Sequence, residues 1–406
     1  MREVISWQEG CLHSRGLCWL SCHVNHGLAT VIHGYPQRTH TYTVWPHATR
    51  YNLTFQNIAK NSLHKVNFTK SQAHTHHMSS PVTQYRCIGR GFCGTVWALE
   101  DTQHMALTAI KREDGGPGRS LANDHNMHLR VIRAMERYQL NTALSVPQCH
   151  KLIEPTDLWW QTQLCRFPRG YEACKALISE RIPKIPRSIS NKLLDFFCAG
   201  NEALASFVKT NEGDDSCLIR PYLGRRRRHR QEGTSNSRLQ RFSLRNVPLH
   251  IDQMEALSLD TKAYAETMAD ALALMLWVAK IDANDVEFVL APPRRPPDSR
   301  SSCTFQCEFL GEHGMWILDF DCCRAISLDE VGVEQACAAF FKNDPFYPRP
   351  GGGEKADEVL WVAFKRKFLS TSWKILGGDD VWLAERFMGR VEEEGLLRRQ
   401  AKKQLV

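Results

Sequence analysis

The residues best suited to chemistry in this 406-residue chain are glycines, one lysine and a set of carboxylates. Gly89-Arg90-Gly91-Phe92-Cys93-Gly94-Thr95-Val96 has the spacing G-x-G-x-x-G-x-V. Glycines let a hairpin close over phosphate groups with no Cβ in the way, and their N–H groups can face an anion. The same spacing also opens a dinucleotide-binding unit, but only when a helix follows the last glycine directly. Here Thr95-Val96-Trp97-Ala98-Leu99 follows, β-branched and aromatic, so a strand hairpin is expected. Thr108-Ala109-Ile110-Lys111 then sets a cation on the next strand, where it can neutralise phosphate oxygens. Far downstream, Asp282 and Glu287 precede the apolar Phe288-Val289-Leu290, and Met315-Trp316-Ile317-Leu318 delivers Asp319-Phe320-Asp321. Glu287, Asp319 and Asp321 are hard oxygen ligands of the kind that suit Mg²⁺. Asp282 is a carboxylate of the kind that can take a hydroxyl proton or hold a water.

Other elements must position these groups. Leu121 to Tyr138 has the apolar spacing of an amphipathic helix and carries Asp124 in its first turns, where an acid favours the helix macrodipole. Ala176 to Ile182 reads as an apolar strand, including Glu180 and Ile182, that is stopped by Pro183 and Pro186. One or two helices are expected over Ile189 to Val208, and a strand over Leu218 to Leu223. Thr261 to Lys280 is apolar nearly all round, as a helix in the middle of a domain is. Thr304 to Phe309 and Gly314 to Leu318 suggest a hairpin turning at Gly311-Glu312-His313. Helices are expected at Glu330 to Lys342, Glu354 to Ile375 and Val381 to Leu397, with a loose basic tail from Arg398. The pattern is that of an α+β protein.

The net charge is +8, and the excess comes in runs. Arg225 to Arg228, His229 and Arg230 read as a nuclear-import signal, a phosphate-binding patch or a solvated insertion near 224–245. Nucleic-acid binding is therefore allowed but not demanded. Arg294-Arg295 among Pro292, Pro293, Pro296 and Pro297 marks a second exposed loop. Residues 1–80 are rich in His, Thr, Asn and Ser and lack periodicity, so a poorly ordered extension is expected. Cys11, His13, Cys18, Cys22, His23 and His26 fit none of the strong zinc-ligand spacings, which argues against zinc. No apolar run approaches the roughly 20 residues of a membrane span, and no secretory signal is visible. The cysteines are then expected reduced, in a cytoplasmic or nuclear protein.

At these residues the chain resembles the protein-kinase-like and aminoglycoside-phosphotransferase-like fold over about 84–376. The resemblance implies a small β-rich lobe at 84–182, a mainly helical lobe at 187–376, and a C-terminal helix and basic tail at 377–406. It further implies ATP and Mg²⁺ as ligands. Gly89, Gly91, Gly94 and Val96 would serve the nucleotide, Lys111 its α/β-phosphates with Asp124 as the helix acid, and Glu180 and Ile182 the hinge against an adenine edge. Asp282 would be the base, and Asp319, Glu287 and Asp321 the metal ligands. The chain departs from the protein-kinase pattern at Lys280-Ile281 for His-Arg, Glu287 for Asn and Asp321 for Gly. It also resembles a fungal family, the domain of unknown function 3669. The stretches that carry this likeness are Ile178-Ser179-Glu180-Arg181-Ile182-Pro183, Asp282 to Phe288, Leu318 to Asp321 and Asn343 to Pro350. That family is often labelled zinc-finger-like, though no finger spacing stands here. Two functions follow: a nucleotide-binding phosphotransferase, or a catalytically inactive, pseudokinase-like module for a protein partner. A nucleic-acid-associated nuclear protein is a third.

Overall fold

The computed structural model describes residues 83–99, 107–138, 142–227, 242–294 and 303–404. The low order expected for 1–80 and the end of the arginine run, Arg228 to Arg230, lie outside them.

The first half builds one antiparallel sheet from β1 (Tyr85–Arg90), β2 (Thr95–Leu99), β3 (Thr108–Arg112), β5 (Cys149–Ile153) and β6 (Ala176–Glu180), in the order β1-β2-β3-β6-β5. Side chains alternate across it with the strand period of two. Gly89, Val96, Lys111 and Leu177 are cross-strand neighbours and so share one face. Trp97 and Ile110 face the other way, into a cluster with Trp160 and Phe167. Buried Arg112 is held there against the rings of Trp160, Phe167 and Tyr171. Helix α1 (Leu121–Arg137) covers the Lys111 face, packing Leu121 with Leu177 and Cys93. Ser120 starts it, its hydroxyl accepting from Asn123 N–H at 3.3 Å, as an N-cap serine does.

The second sheet runs β10 (Phe305–Cys307), β11 (Gly311–Leu318), β9 (Glu287–Ala291), β7 (Ile219–Tyr222), β8 (Val247–His250), with β4 (Leu144–Ser145) added parallel to β11. The β10–β11 turn falls at Glu308 to Leu310, because Cys307 pairs with Gly311, earlier than the spacing suggested. Gly311 takes φ +67°, the left-handed residue that closes a three-residue hairpin and that glycine adopts without cost. After α2 (Trp159–Gln163), α3 (Arg187–Phe197), α4 (Glu202–Thr210) and α5 (Ile251–Ala256), helix α6 (Thr261–Ala273) is buried nearly all round and ends in a π-helical turn at Leu274–Val278. Helix α8 (Lys355–Leu376) packs along it, and α7 (Glu330–Lys342) and α9 (Trp382–Gln404) pack on each other within the same apolar core. The tail from Arg398 is helical to Gln404, with Arg398 paired to Glu394 one turn back.

Leu144 and Val146, Val131 and Ala134 of α1, and residues as distant as Val391 share one apolar core. The first half is thereby fixed to the helices behind the second sheet. No described helix is long and apolar enough to cross a membrane. The described architecture is mixed α+β.

Candidate functional site

Lys111 on β3 points from the sheet into a group of acids. Its Nζ lies 2.6 Å from Asp124 Oδ2 on α1 and 2.7 Å from Asp319 Oδ1 after β11. Burial alone would lower the lysine pKa, but the charges of Asp124 and Asp319 outweigh it and hold the ammonium well above its usual range. Asp319 answers in kind: burial would raise its pKa, yet the Lys111 charge and hydrogen bond keep the carboxyl below its ordinary value. The other oxygen of Asp124 accepts from Phe320 N–H at 3.1 Å, so one short carboxylate ties strand, helix and turn together.

The turn after β11, and the loop before β9 that lies against it, are held by strained backbone. Lys280, Ala283, Asp285 and Asp319 all have φ between +53° and +68° without being glycine. Such residues are uncommon and persist only where the surroundings over-determine them. The π-helical turn of α6 leads into this loop. Asn343 braces it, its Oδ1 accepting from Asp285 N–H and its Nδ2 donating to the Ala283 carbonyl.

Asp321 is buried. Its Oδ1 accepts from Arg119 at 2.7 Å, and its Oδ2 accepts no hydrogen bond among the described residues. Burial and then the neighbouring Asp319 raise its pKa, so the two carboxylates are shifted in opposite directions. Glu287 pairs with Leu318 across β9 and β11. Its carboxylate is tied to Arg220 in a short contact. Burial pushes its pKa up to about 7 despite Arg220, with Asp319 and Asp285 adding to the rise.

Asp282 is turned into its own loop. Oδ1 accepts from Asn284 N–H at 3.1 Å and Arg324 N–H at 2.9 Å, and Oδ2 from Gln335 Nε2 at 2.9 Å. A carboxylate so engaged is an anchor for the loop.

The glycine hairpin lies closed against the chain that follows β3. Gly91 N–H donates to the Gly94 carbonyl at 2.8 Å, Gly115 N–H to Cys93 O at 3.1 Å and Gly116 N–H to Phe92 O at 2.9 Å. Asp114 accepts from both the N–H and hydroxyl of Thr95. Val96 is half-buried between Gly89 and Lys111 on the shared face. The Glu180 carboxylate is taken by Arg294 at 2.7 Å and by Gln148 N–H at 2.9 Å. Ile182 packs on Val289, Ala291 and Trp316 beneath it. Arg294, expected on an exposed loop, is instead half-buried and lies over the Trp316 ring, because Glu180 compensates its charge. Arg226 and Arg227 are likewise paired, with Glu255 and Asp357 and with Asp252.

The structure thus brings together Gly89, Val96, Lys111, Asp124, Asp319, Asp321 and Glu287. It leaves Asp282 and the Glu180 side chain as anchors. The motif pattern missed Arg119 and Asn343. Each acts across a separation of 58 residues or more, so no local spacing announces it. A recess of about 210 Å³ lies elsewhere, lined by Lys184, Arg187, Ser190, Asp214 and Leu244 among others.

A family model, the domain of unknown function 3669 described as a zinc finger protein, matches residues 315–380. No curated protein matches the chain. The matched stretch spans the second half of β11, Asp319 to Cys323, α7, the turn at Asn343 and α8. Its cysteines are Cys322, Cys323 and Cys337, and it has no histidine. Cys323 is buried against the Asn284 carbonyl and Cys337 is buried in the core on α7. These thiols do not converge, so the residues do not fit a four-ligand finger. Among the described residues, Asp285, Asp321 and Cys322 do offer three ligand atoms within 4.8 Å of one another. The chain is therefore similar, over this stretch, to a family called a zinc finger protein, without a finger in it.

Proposed function

We propose that this protein is a kinase-like nucleotide-binding module that holds ATP with a divalent cation at Lys111 and Asp319 and transfers phosphate poorly or not at all. The observation that carries the reading is the Lys111–Asp124–Asp319 arrangement. A lysine on the third strand, paired with a helix acid and facing a metal-binding aspartate, is the working core of kinase nucleotide sites. The two lobes about 84–182 and 187–376, with the glycine hairpin above Lys111, belong to the same reading. The acids at the site, Asp124, Asp285, Glu287, Asp319 and Asp321, outnumber the cations Lys111, Arg119 and Arg220, which favours a cation as guest. Mg²⁺ so held would neutralise phosphate charge.

Weak transfer follows from the occupied groups. Asp282 already accepts three hydrogen bonds, and Glu287 is engaged by Arg220. A protein so built serves a protein partner through its nucleotide-bound shape. Calorimetric titration with ATP and Mg²⁺ tests this. The parent is expected to bind, and Lys111→Met to weaken binding by at least about tenfold, with far-UV circular dichroism unchanged. Absence of binding in the parent overturns the reading. Asp282-dependent phosphoryl transfer at ordinary kinase rates, about 1–100 per second, overturns its second half.

A further inference from the structure

We propose that Asp285, Asp321 and Cys322 form a site for a thiophilic divalent cation such as Zn²⁺, for which Arg119 is the built-in plug. The two carboxylates and the thiol come from the loop before β9 and the turn after β11. Their ligand atoms lie within 4.8 Å of one another. Ligands about 2.0–2.3 Å from a common zinc stand no more than about 4.6 Å apart, so a small closure gathers them.

Arg119 now does the gathering. It hydrogen-bonds Asp321 Oδ1 at 2.7 Å, Asp285 Oδ2 at 3.0 Å and Cys322 Sγ. A guanidinium is a planar fork that serves one edge of a carboxylate. It leaves Asp321 Oδ2 without a hydrogen bond, on a residue only 3% exposed. That buried, unserved oxygen is the second mark of the site, because a buried acceptor without a partner costs stability that a bound cation recovers. The thiol selects zinc-like ions over magnesium.

The plug can leave. Arg119 sits at the end of the glycine-rich turn 115–118, beside exposed Phe92, whose ring lies 5.4 Å from its guanidinium. Entry of the cation displaces the guanidinium toward solvent, and the Cys322 thiol gives its proton to water as the metal–sulfur bond forms; no electron changes hands. Lys111 and Asp124 take no part, and a thiolate-to-cobalt band read without nucleotide is a different signal from ATP binding, so the failure of one reading is distinguishable from the failure of the other.

The test titrates the full chain with Co²⁺ in the absence of nucleotide and follows the near-ultraviolet thiolate-to-cobalt absorption, then displaces the cobalt with Zn²⁺. The parent is expected to show a weak band that Cys322→Ser abolishes. Arg119→Gln, with its plug removed, is expected to bind cobalt at least about tenfold tighter, and Asp321→Asn to weaken binding. Lack of a Cys322-dependent band in both the parent and folded Arg119→Gln overturns the proposal. Should Arg119→Gln fail to fold, the parent and Cys322→Ser compared at saturating cobalt decide alone: a band lost in Cys322→Ser supports the site, and no such difference overturns it.

Discussion

Asn343 is buried just past the end of α7, and its amide faces two ways, accepting from Asp285 N–H at 2.6 Å and donating to the Ala283 carbonyl at 2.8 Å. Both of those residues have positive φ. Neither is glycine, so each is held against its own preference. Asn343→Ala removes both bonds and leaves a buried donor and acceptor unserved. It is expected to cost about 2–4 kcal/mol, read as a fall in the urea midpoint at unchanged slope. The same variant should weaken any ligand at Asp319 or Asp285, since the loop then relaxes toward ordinary φ. Among sequence features Asn343 stood only as part of a quoted family stretch. Its role was not legible because its partners lie 58 and 60 residues away. Asp124 was legible, since the kinase-like resemblance calls for an acid early in the helix after the strand lysine. What the sequence could not say is that an aspartate reaches. It reaches because α1 packs directly on the Lys111 face through Leu121.

At the scale of elements, the glycine hairpin divides into positions with different reasons. Gly94 has φ +151°, and a Cβ there would stand 2.1 Å from the Arg112 carbonyl oxygen. Gly91 has open space around its missing side chain. Gly94→Ala is therefore expected to lose about 2–4 kcal/mol, while Gly91→Ala stays within about 0.5 kcal/mol of the parent. Thermal unfolding of the two proteins side by side checks this, and equal effects would contradict the docked hairpin. The hairpin itself was readable from Thr95 to Leu99, and so were β3, β6, α1 and the long apolar α6. Their signals are local: period two, period 3.6, or a run of β-branched residues. Less visible were β4, of only two residues, and β8, which pairs parallel with β7. Short strands that complete a sheet across long separations carry almost no pattern of their own. The closing of the hairpin onto Asp114, Gly115 and Gly116 was equally hidden, because the sequence shows that glycines can approach a phosphate as readily as a neighbouring turn.

For the whole molecule, acid sensitivity is a sum of opposed contributions. His128 donates from Nε2 to the Pro147 carbonyl at 2.7 Å and packs on Phe320. Burial lowers its pKa below 6.5, against the pull of Asp124 and the Pro147 bond, and Lys111 and His125 act in the same sense as burial. The folded protein thus binds this proton less readily than the unfolded chain. Stability from His128 is fully present above about pH 6.5, the unfolded value, and is lost as the pH falls through the lower folded value. His313, buried between the Tyr264 hydroxyl and the Gly311 carbonyl, has its pKa lowered by burial and acts in the same sense. Glu287 works the other way. Its folded pKa of about 7 lies above the unfolded value of 4.5, so its contribution is present below pH 4.5 and lost as the pH rises through 7. Between pH 5 and 7 the histidines and the glutamate offset each other, and the parent's stability profile should be flatter there than either alone would make it. Replacing one side exposes the other. His128→Gln keeps a donor for Pro147 O but cannot charge, so its stability relative to the parent should improve as the pH falls from 7.5 to 5. Urea midpoints of both proteins across that range measure the difference, and a gap that stays constant or widens against the variant would show that His128 is not held neutral in the fold.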